Sequence, residues 1–410
     1  MLKRRVAVTG VAGISPIGSD WASIKSRLQA LDTGIARIKE WDAFEELNTR
    51  LGAPVSDFEM PPHYNRKQLR SMGRVAQMAV RASELALQDA GLLGDSELQQ
   101  GMAGVAYGSS TGDTLATRDF GNMLINGSSG NLNANSYIKM MSHTSPVNIG
   151  VYFGLRGRVY TTSSACTSGS QGIGYAFDAI RYGHQLIMVA GGCEALCATE
   201  AAVFDTLYAT SVRNDEPHLS PRPFDVDRDG LVIGEGAGTL ILEELDHARA
   251  RGAKIYAELV GFGTNSDGCH VTQPSLETQE QVIRLSLEDA NLSPDAIGYV
   301  SAHGTATDRG DIAESQATWR VFGSKTPISS FKSFTGHTLG ACGALEAWVS
   351  IAMMNEGWFH ATANLDSIDP DCGELDYIID SGRELETEYV MSNNFAFGGI
   401  NTSLIFKRTV

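Results

Sequence analysis

Cys166 is the first residue whose setting suggests chemistry. It lies in Thr161-Thr162-Ser163-Ser164-Ala165-Cys166-Thr167-Ser168-Gly169-Ser170, just before the helical pattern QGIGYAFDAIRYG. The β-branched and small residues upstream read as a strand end, so the spacing predicts a thiol at a strand-to-helix turn. Unpaired N–H groups and the macrodipole at a helix N-terminus favour negative charge, which suits a thiolate nucleophile. Small neighbours leave room for a substrate carbonyl. A lone cysteine is more often a small buried apolar residue, but two histidine motifs downstream argue for the nucleophile.

The first motif is Ser301-Ala302-His303-Gly304-Thr305-Ala306-Thr307-Asp308-Arg309-Gly310-Asp311-Ile312-Ala313-Glu314. His303 falls at the expected end of a strand, in a turn of small residues rather than on an apolar helix face. Thr305 and Thr307 offer hydroxyls to a polar substrate arm. Asp311 and Glu314 fall at the start of the next helix, where they either complement its dipole or support the site. The second motif runs from Phe331 to Glu346, FKSFTGHTLGACGALE. Its Gly and Ala density lets a helix pack closely on another backbone, while Lys332 and His337 are polar groups in small, apolar surroundings and must find partners. A further segment, Asn393-Asn394-Phe395-Ala396-Phe397-Gly398-Gly399-Ile400-Asn401, has successive glycines. It reads either as a source of backbone N–H groups for a developing oxyanion or as a tight loop between two strands.

These segments need a scaffold. Short β-branched runs alternate with longer Ala-rich helical patterns: VAVTG, a helix over about Arg66–Ala90, GMAGVAYGS, and QLIMVAGG after the helix that follows Cys166. The alternation predicts an α/β fold with strands covered on both faces. Ala86–Leu92 recurs as Ser286–Leu292, about 200 residues on. Each copy precedes a strand and a Gly/Ser/Thr-rich turn, YGSSTGD at 107–113 and HGTATDRGD at 303–311, and LIMVAGG (186–192) has a counterpart in YVMSNNFAFGG (389–399). The chain reads as two similar halves sharing one core, 1–255 carrying the cysteine and 256–410 carrying both histidines.

With 32 Lys+Arg against 48 Asp+Glu in 410 residues, the formal charge of −16 excludes a general nucleic-acid binder. At 42% hydrophobic and 20% charged residues, the composition suits a globular protein with a large core. No stretch approaches the ~20 apolar residues needed to span a bilayer. The six cysteines are dispersed without a CxxC pair and are expected as reduced thiols of a cytoplasmic protein. The basic start MLKRRVAVTG is followed by Gly13 and Pro16 and reads as a first strand rather than a signal peptide. Two glycine motifs are decoys. Thr9-Gly10-Val11-Ala12-Gly13 does not continue to Gly18 with GxGxxG spacing, and Gly234-Glu235-Gly236-Ala237-Gly238 precedes a strand, so it reads as a structural turn.

Taken together, the Cys166, His303, His337 set, NNFAFGG and RPFDVDRDGLVIGEGAGTLILEEL (222–245) resemble the β-ketoacyl-[acyl carrier protein] synthases of the elongating type I/II group, within the thiolase-fold condensing-enzyme superfamily. The resemblance runs from VAVTG to NTSLIF. It implies a duplicated fold layered α-β-α-β-α with two pseudo-symmetric halves. It also implies decarboxylative Claisen condensation of an acyl thioester with malonyl-[acyl carrier protein], giving a 3-oxoacyl product in fatty-acid elongation. In that reading Cys166 carries the acyl chain, and the N–H groups of Cys166 and Phe397 form the oxyanion hole. His303 and His337 stabilise the enolate left by decarboxylation, and Lys332 and Glu346 orient them. Thr305 and Thr307 would hold the phosphopantetheine arm, with Phe395 also in contact with substrate and Phe397 as the gating aromatic. Thr111 would lie at the floor of the acyl pocket, where a modest side chain admits medium or long chains. No metal or resident cofactor is implied, because the phosphopantetheine arm arrives on the carrier protein. The implied partners are that carrier and a second subunit, as a homodimer or as a heterodimer with a related chain.

An acidic carrier meeting an acidic chain requires a local basic patch. Arg66, Arg70 and Arg74 recur every four residues on the predicted helix and would share a face. The resemblance places Lys67, Arg70 and Arg213 at the dock, with Arg66 beside them. Three departures from the family pattern stand out: Asp308-Arg309 for a usual Pro and small residue, Ala396 for Gly, and Ile400 for Thr. They spare the catalytic groups and fall on the arm tunnel and the gating loop. A ketosynthase of a specialised polyketide or aryl-polyene pathway would share every catalytic residue. A non-catalytic chain-length partner would lack the nucleophile, and a degradative thiolase would carry a second cysteine near the C-terminal glycine loop, where NNFAFGG has none.

Overall fold

The computed structural model describes residues 3–130 and 132–409. Its strands are β1 Val6–Ile14, β2 Ala103–Gly108, β3 Val159–Thr161, β4 Ile187–Glu194, β5 Gly236–Glu244, β6 Ala257–Ser266, β7 Ile297–Ser301, β8 Pro327–Ser329, β9 Asp376–Tyr377, β10 Tyr389–Phe395 and β11 Ile400–Lys407. They form one mixed sheet in the order β9-β8-β7-β10-β11-β6-β1-β5-β4-β2-β3. The order β1-β5-β4-β2-β3 is repeated by β6-β11-β10-β7-β8, each with two antiparallel pairings followed by two parallel ones. The halves join where Val6–Val8 of β1 pairs with Ala257–Leu259 of β6. This is the thiolase-like duplicated fold.

Five helices complete the layers: α1 Arg74–Asp89, α2 Ser168–Arg181, α3 Leu276–Ala290, α4 Asp308–Phe322 and α5 Cys342–Glu356. α1 covers β1 and β5 on one outside, and α3, with α4 beside it, covers β6 and β11 on the other. α2 and α5 lie against each other in the middle, each touching strands of both halves. α5 is buried nearly all round, from Cys342 through Leu345, Trp348 and Ile351 to Met354, as a helix apolar on every face must be. Close approach of these layers depends on missing side chains. A Cβ on Gly192 would lie 2.0 Å from the carbonyl oxygen of Gly340, and one on Gly169 would lie 2.8 Å from the same oxygen and 3.0 Å from Ala344 N. The N-termini of α2 and α5, which follow Cys166 and His337, are thereby pressed together.

The expected helix over Arg66–Ala90 is interrupted. A single turn, Arg66–Leu69, is closed by an Asn65–Gln68 capping box, and α1 starts afresh at Arg74 after Gly73. The break is tertiary in origin: a Cβ on Gly73 would fall 1.4 Å from Asp113 Oδ2, so the loop before the helix Thr114–Asn126 occupies that space. Arg66, Arg70 and Arg74 therefore do not share a helical face. The GEGAG segment also differs from a plain turn, because Gly236 already begins β5 and Glu235 is a buried acceptor. No helix among the described residues is long and apolar enough to cross a membrane.

Candidate active site

Cys166 lies in a 3-10 turn, Ala165–Thr167, that leads directly into α2. Ala165 takes φ +49°, a left-handed conformation that costs a non-glycine residue about 1 kcal/mol or more. The turn is held by Thr167 Oγ1 donating to Ser164 O at 2.8 Å and by Ser168 Oγ donating to Ala165 O at 2.7 Å. The thiol is 3% exposed, and the backbone N–H groups of Phe397 and of Cys166 itself act to favour its charged form.

The two histidines converge on this sulfur from the other half of the chain. His337 Nε2 lies 2.9 Å from Cys166 Sγ, while its Nδ1 accepts from the Leu339 N–H at 3.3 Å. An accepting Nδ1 assigns the ring proton to Nε2, so His337 presents an N–H to the sulfur. His303 Nδ1 faces two donors, Lys332 Nζ at 3.1 Å and Asn394 Nδ2 at 3.4 Å, which likewise assigns its proton to Nε2. The imidazole rings stand 5.1 Å apart and nearly perpendicular, at 89°. Behind them, Glu346 accepts from Lys332 Nζ through one oxygen and from Asn394 Nδ2, at 2.6 Å, through the other.

The ligand atoms of Cys166, His303 and His337 lie within 4.8 Å of one another, close enough to embrace a metal ion. A metal on Nε2 calls for a proton on Nδ1, donated to an acceptor. Here each Nδ1 meets N–H donors instead. The donor set fits two imidazoles that offer N–H groups better than two that offer lone pairs.

The loop carrying His303 is clamped by α4. Glu314 accepts from the N–H groups of His303 (2.6 Å) and Gly304 (2.7 Å), and Asp311 accepts from those of Thr305 (3.0 Å) and Ala306 (3.1 Å). Asp311 also takes the Phe224 N–H at 2.7 Å. A cavity of about 570 Å³ leads away from the cluster, its wall running from buried Cys166, His303 and His337 past Thr305, Thr307, Phe395 and Phe397 to exposed Tyr208 and Arg309. Thr305 Oγ1 and Thr307 Oγ1 are 2.9 Å apart on that wall. Phe397 leans edge-on against Phe204 at 5.7 Å between centroids, beside Gly398 and Gly399, whose φ values of +89° and +74° set the hairpin between β10 and β11.

Comparison with known proteins decides the family. Residues 3–248 match the model described as "Beta-ketoacyl synthase, N-terminal domain" and residues 256–366 that of the "Beta-ketoacyl synthase, C-terminal domain". The chain belongs to the β-ketoacyl synthase family. It is 39% identical to 3-oxoacyl-[acyl-carrier-protein] synthase 2 of Vibrio cholerae, covering 100% of both chains. A crystal structure of a β-ketoacyl synthase from Burkholderia phymatum superposes with a TM-score of 0.98 at 58% identity, over 99% of this chain and 100% of that one. The ishigamide ketosynthase/chain length factor superposes with a TM-score of 0.90 at 33% identity, over 100% of each.

In this β-ketoacyl synthase, burial governs the protonation of the site. It pushes the Cys166 thiol up from its ordinary value, against the pull of the Phe397 N–H, the Lys332 charge and the thiol's own N–H. Burial, followed by the Lys332 charge, drives both His303 and His337 well below 6.5, so both imidazoles are neutral near neutral pH. Burial also opposes the charge on Lys332, yet Cys342 and Glu346 hold it above its usual value, and we assign Lys332 as the ammonium. Burial lifts Glu314 to about 8 and Asp311 to about 6, against the N–H groups they accept.

The other expected residues fall in different places. Lys332 reaches His303 directly and Glu346 only through Lys332 and Asn394, and neither bonds His337, whose orientation comes from the Leu339 backbone. Asn394 was not singled out by itself, although a buried Asn in a strand requires partners. Thr111 does not line the cavity: it is exposed in the single chain and donates to Glu200 Oε1 at 2.7 Å. Its hydroxyl thus meets the buried carboxylate of Glu200, which stands on the helix Ala198–Asp205. Arg66, Lys67 and Arg70 are exposed and form no ion pair among the described residues. Arg213 is tied to Asp229, a cavity residue, and to Asp227 O. Arg74 is spent on Glu235, at 2.7 and 2.9 Å.

Neutral Nε2–H imidazoles carry a testable signature. Long-range 1H–15N spectra of the folded protein are expected to show His303 and His337 as Nε2–H tautomers that do not titrate as pH falls through 6.5. Because the folded values lie below 6.5, the unfolded chain takes up protons first; stability from these residues is full above that pH and is lost below it. A histidine of this pair that titrates near 6.5 would contradict the assignment.

Proposed function

We propose that the protein catalyses decarboxylative Claisen condensation: an acyl thioester and malonyl-[acyl carrier protein] give 3-oxoacyl-[acyl carrier protein], carbon dioxide and the thiol released by the acyl donor, in fatty-acid elongation in the cytoplasm. The observation that carries this reading is the convergence of two Nε2–H donors on a buried nucleophilic sulfur. In the first step Cys166 Sγ attacks the acyl thioester carbonyl, and the N–H groups of Cys166 and Phe397 meet the oxyanion. The donor's thiolate leaves and takes up the proton that the Cys166 thiol gives up on attack, and the acyl group stays on Cys166. In the second step the carbonyl oxygen of the malonyl thioester lies between the Nε2–H groups of His303 and His337. The C–C bond to the carboxylate breaks, carbon dioxide departs, and the electron pair becomes an enolate whose negative oxygen receives both hydrogen bonds. The α-carbon then attacks the acyl-Cys166 carbonyl, forming the new C–C bond; the C–S bond breaks, and Cys166 leaves as a thiolate that takes up a proton from solvent. Lys332, Asn394 and the Leu339 N–H keep the imidazole protons on the side where the oxyanion grows. The Vibrio relative's name, which includes the acyl carrier protein, supports a carrier-borne substrate. This chemistry calls for no resident metal or cofactor, since the phosphopantetheine arm belongs to the carrier.

A second copy of this chain is the subunit partner we infer. Strand β3 is the open edge of the sheet, with Val159 50% exposed, and the neighbouring helices Thr114–Asn126 and Thr144–Phe153 present Leu124, Ile125 and Val151 at 85%, 81% and 78% exposure. An open edge with apolar flanks calls for covering. The ishigamide protein is a ketosynthase/chain length factor pair. Here one chain already carries the whole Cys-His-His set, so a second subunit is needed to cover this surface and not to supply a catalytic residue.

Intact mass after incubation with acyl-carrier thioesters is expected to show an adduct that Cys166→Ala lacks and that malonyl carrier protein discharges. His303→Ala and His337→Ala should still acylate but lose ~10²–10³-fold in malonyl decarboxylation, as for removal of one oxyanion donor; unimpaired decarboxylation would sink the mechanism. Arg70→Glu should raise KM for carrier-borne malonyl about tenfold at low ionic strength, a penalty that shrinks with added salt; an unchanged KM would remove Arg70 from the dock. Sedimentation should give twice the 43.9 kDa chain mass, and Leu124→Glu with Ile125→Glu should halve it, whereas a monomeric parent would refute the pairing.

A further inference from the structure

We propose that Arg309 binds the phosphate of the substrate's phosphopantetheine arm, and so acts as a specificity-determining residue for phosphorylated thioesters; this rests on the condensing reading above. The cavity wall beyond the histidines carries the ledge formed by Thr305 and Thr307, whose hydroxyls are 2.9 Å apart. Gly310 keeps that ledge open, because a Cβ there would sit 2.3 Å from Thr307 Oγ1. Arg309 follows on the same wall and is exposed.

The charges around it are already matched, except its own. Asp308, the adjacent acid, is engaged by Arg228, whose Nη2 lies 3.1 Å from Asp308 O and 3.4 Å from Asp308 Oδ1. Arg228 in turn is held by Asp369 and lies 3.9 Å from Asp311. Asp229, a further acid on this wall, faces Arg213 at 3.5 Å. Arg309 makes no hydrogen bond or ion pair among the described residues. It also occupies the first turn of α4, where the helix dipole opposes a cation, so local helix energetics give no reason for an arginine there. An anion arriving through the mouth does give one. A planar guanidinium takes phosphate oxygens in a forked pair of hydrogen bonds. On a pantetheine thioester seated with its reacting carbonyl at the histidines, the phosphate is the anion at the far end of the arm.

The same phosphate chemistry reaches the site on a carrier protein or on a free phosphopantetheine thioester, and the test separates them. Steady-state condensation is measured with malonyl-phosphopantetheine, with malonyl-pantetheine, and with malonyl carrier protein, using the parent, Arg309→Gln and Arg309→Lys. The ratio of kcat/KM for malonyl-phosphopantetheine over malonyl-pantetheine is expected to be about tenfold in the parent. It should fall to about one in Arg309→Gln and recover in part in Arg309→Lys, with the change in KM rather than kcat. A ratio that is the same in all three proteins overturns the proposal. If Arg309→Gln then still impairs malonyl carrier protein, the arginine contacts the carrier's surface instead. No turnover of any thioester by the folded parent overturns the condensing reading itself, and this proposal with it.

Discussion

The site depends on one buried ion pair, Lys332 with Glu346, each 1% exposed. Two charges this deep in a protein survive only with near-complete pairing and hydrogen bonding, and removing one partner typically costs about 3–5 kcal/mol. Here the surplus hydrogen-bonding capacity of the pair is directed at catalysis. Lys332 donates to His303 Nδ1, and the second oxygen of Glu346 holds Asn394, which leans on the same ring nitrogen. The pair fixes the tautomer of His303 from behind. Its positive end also stabilises a thiolate on Cys166 and depresses both imidazoles. A neutral residue at position 332 could fill the space, but it would leave a buried carboxylate without its counter-charge and a histidine free to turn over.

The duplication explains how a cysteine from one half meets histidines from the other. Each half contains the same device: a short strand, a residue in the left-handed region, a 3-10 turn and a buried central helix. In the first half these are β3, Ala165 at φ +49° and α2; in the second they are β8, Leu339 at φ +44° and α5. Equivalent positions in the two turns are Cys166 and Gly340. The first copy carries Cys166, the nucleophile of the proposed mechanism. In the second, the left-handed residue supplies its N–H to His337 Nδ1, and Gly340 gives up a side chain so that its turn can lie against Cys193, Glu194 and Ser109, each of which a Cβ would approach to 2.9 Å. One strained turn is used twice, for reactivity on one side and for orientation on the other.

Much of this was legible from residue types. Cys166, His303 and His337 could be picked out because each interrupts a run of mostly Gly, Ala, Ser and Thr, and Lys332 because it is a charge between Phe331 and Phe334, where a reactive or polar side chain has no packing reason to be. The repeat of Ala86–Leu92 at Ser286–Leu292 marks equivalent helix ends, before β2 and before β7. Two supporting groups were hidden: nothing about Leu339 announces a positive φ, and the Asn394 side chain becomes meaningful only once Glu346 stands beside it. Asp311 and Glu314 were ambiguous for a physical reason, since acids at the start of a helix suit the dipole whether or not they clamp a loop. The break at Gly73 could not be foreseen from periodicity, because it is imposed by Asp113, forty residues on. Thr111 lies off the cavity that carries the threonine ledge, and its hydroxyl is directed by the carboxylate of Glu200.

The protonation states bear on how one site performs two half-reactions. A thiol raised by burial and a histidine lowered by it do not form a resting thiolate–imidazolium pair, because both shifts favour the neutral partners. The 2.9 Å contact between His337 Nε2 and Cys166 Sγ is therefore an N–H donated to sulfur. In the proposed mechanism that bond helps the sulfur carry negative charge as it attacks the acyl donor. Once the sulfur is acylated it becomes a poor acceptor, and the same N–H is released toward the next oxygen to enter, that of the malonyl thioester. A base in place of His337 would have to be reprotonated between the steps. A neutral donor with its proton held by the Leu339 N–H does not, so acylation and decarboxylation use one unchanged hydrogen-bond donor in sequence.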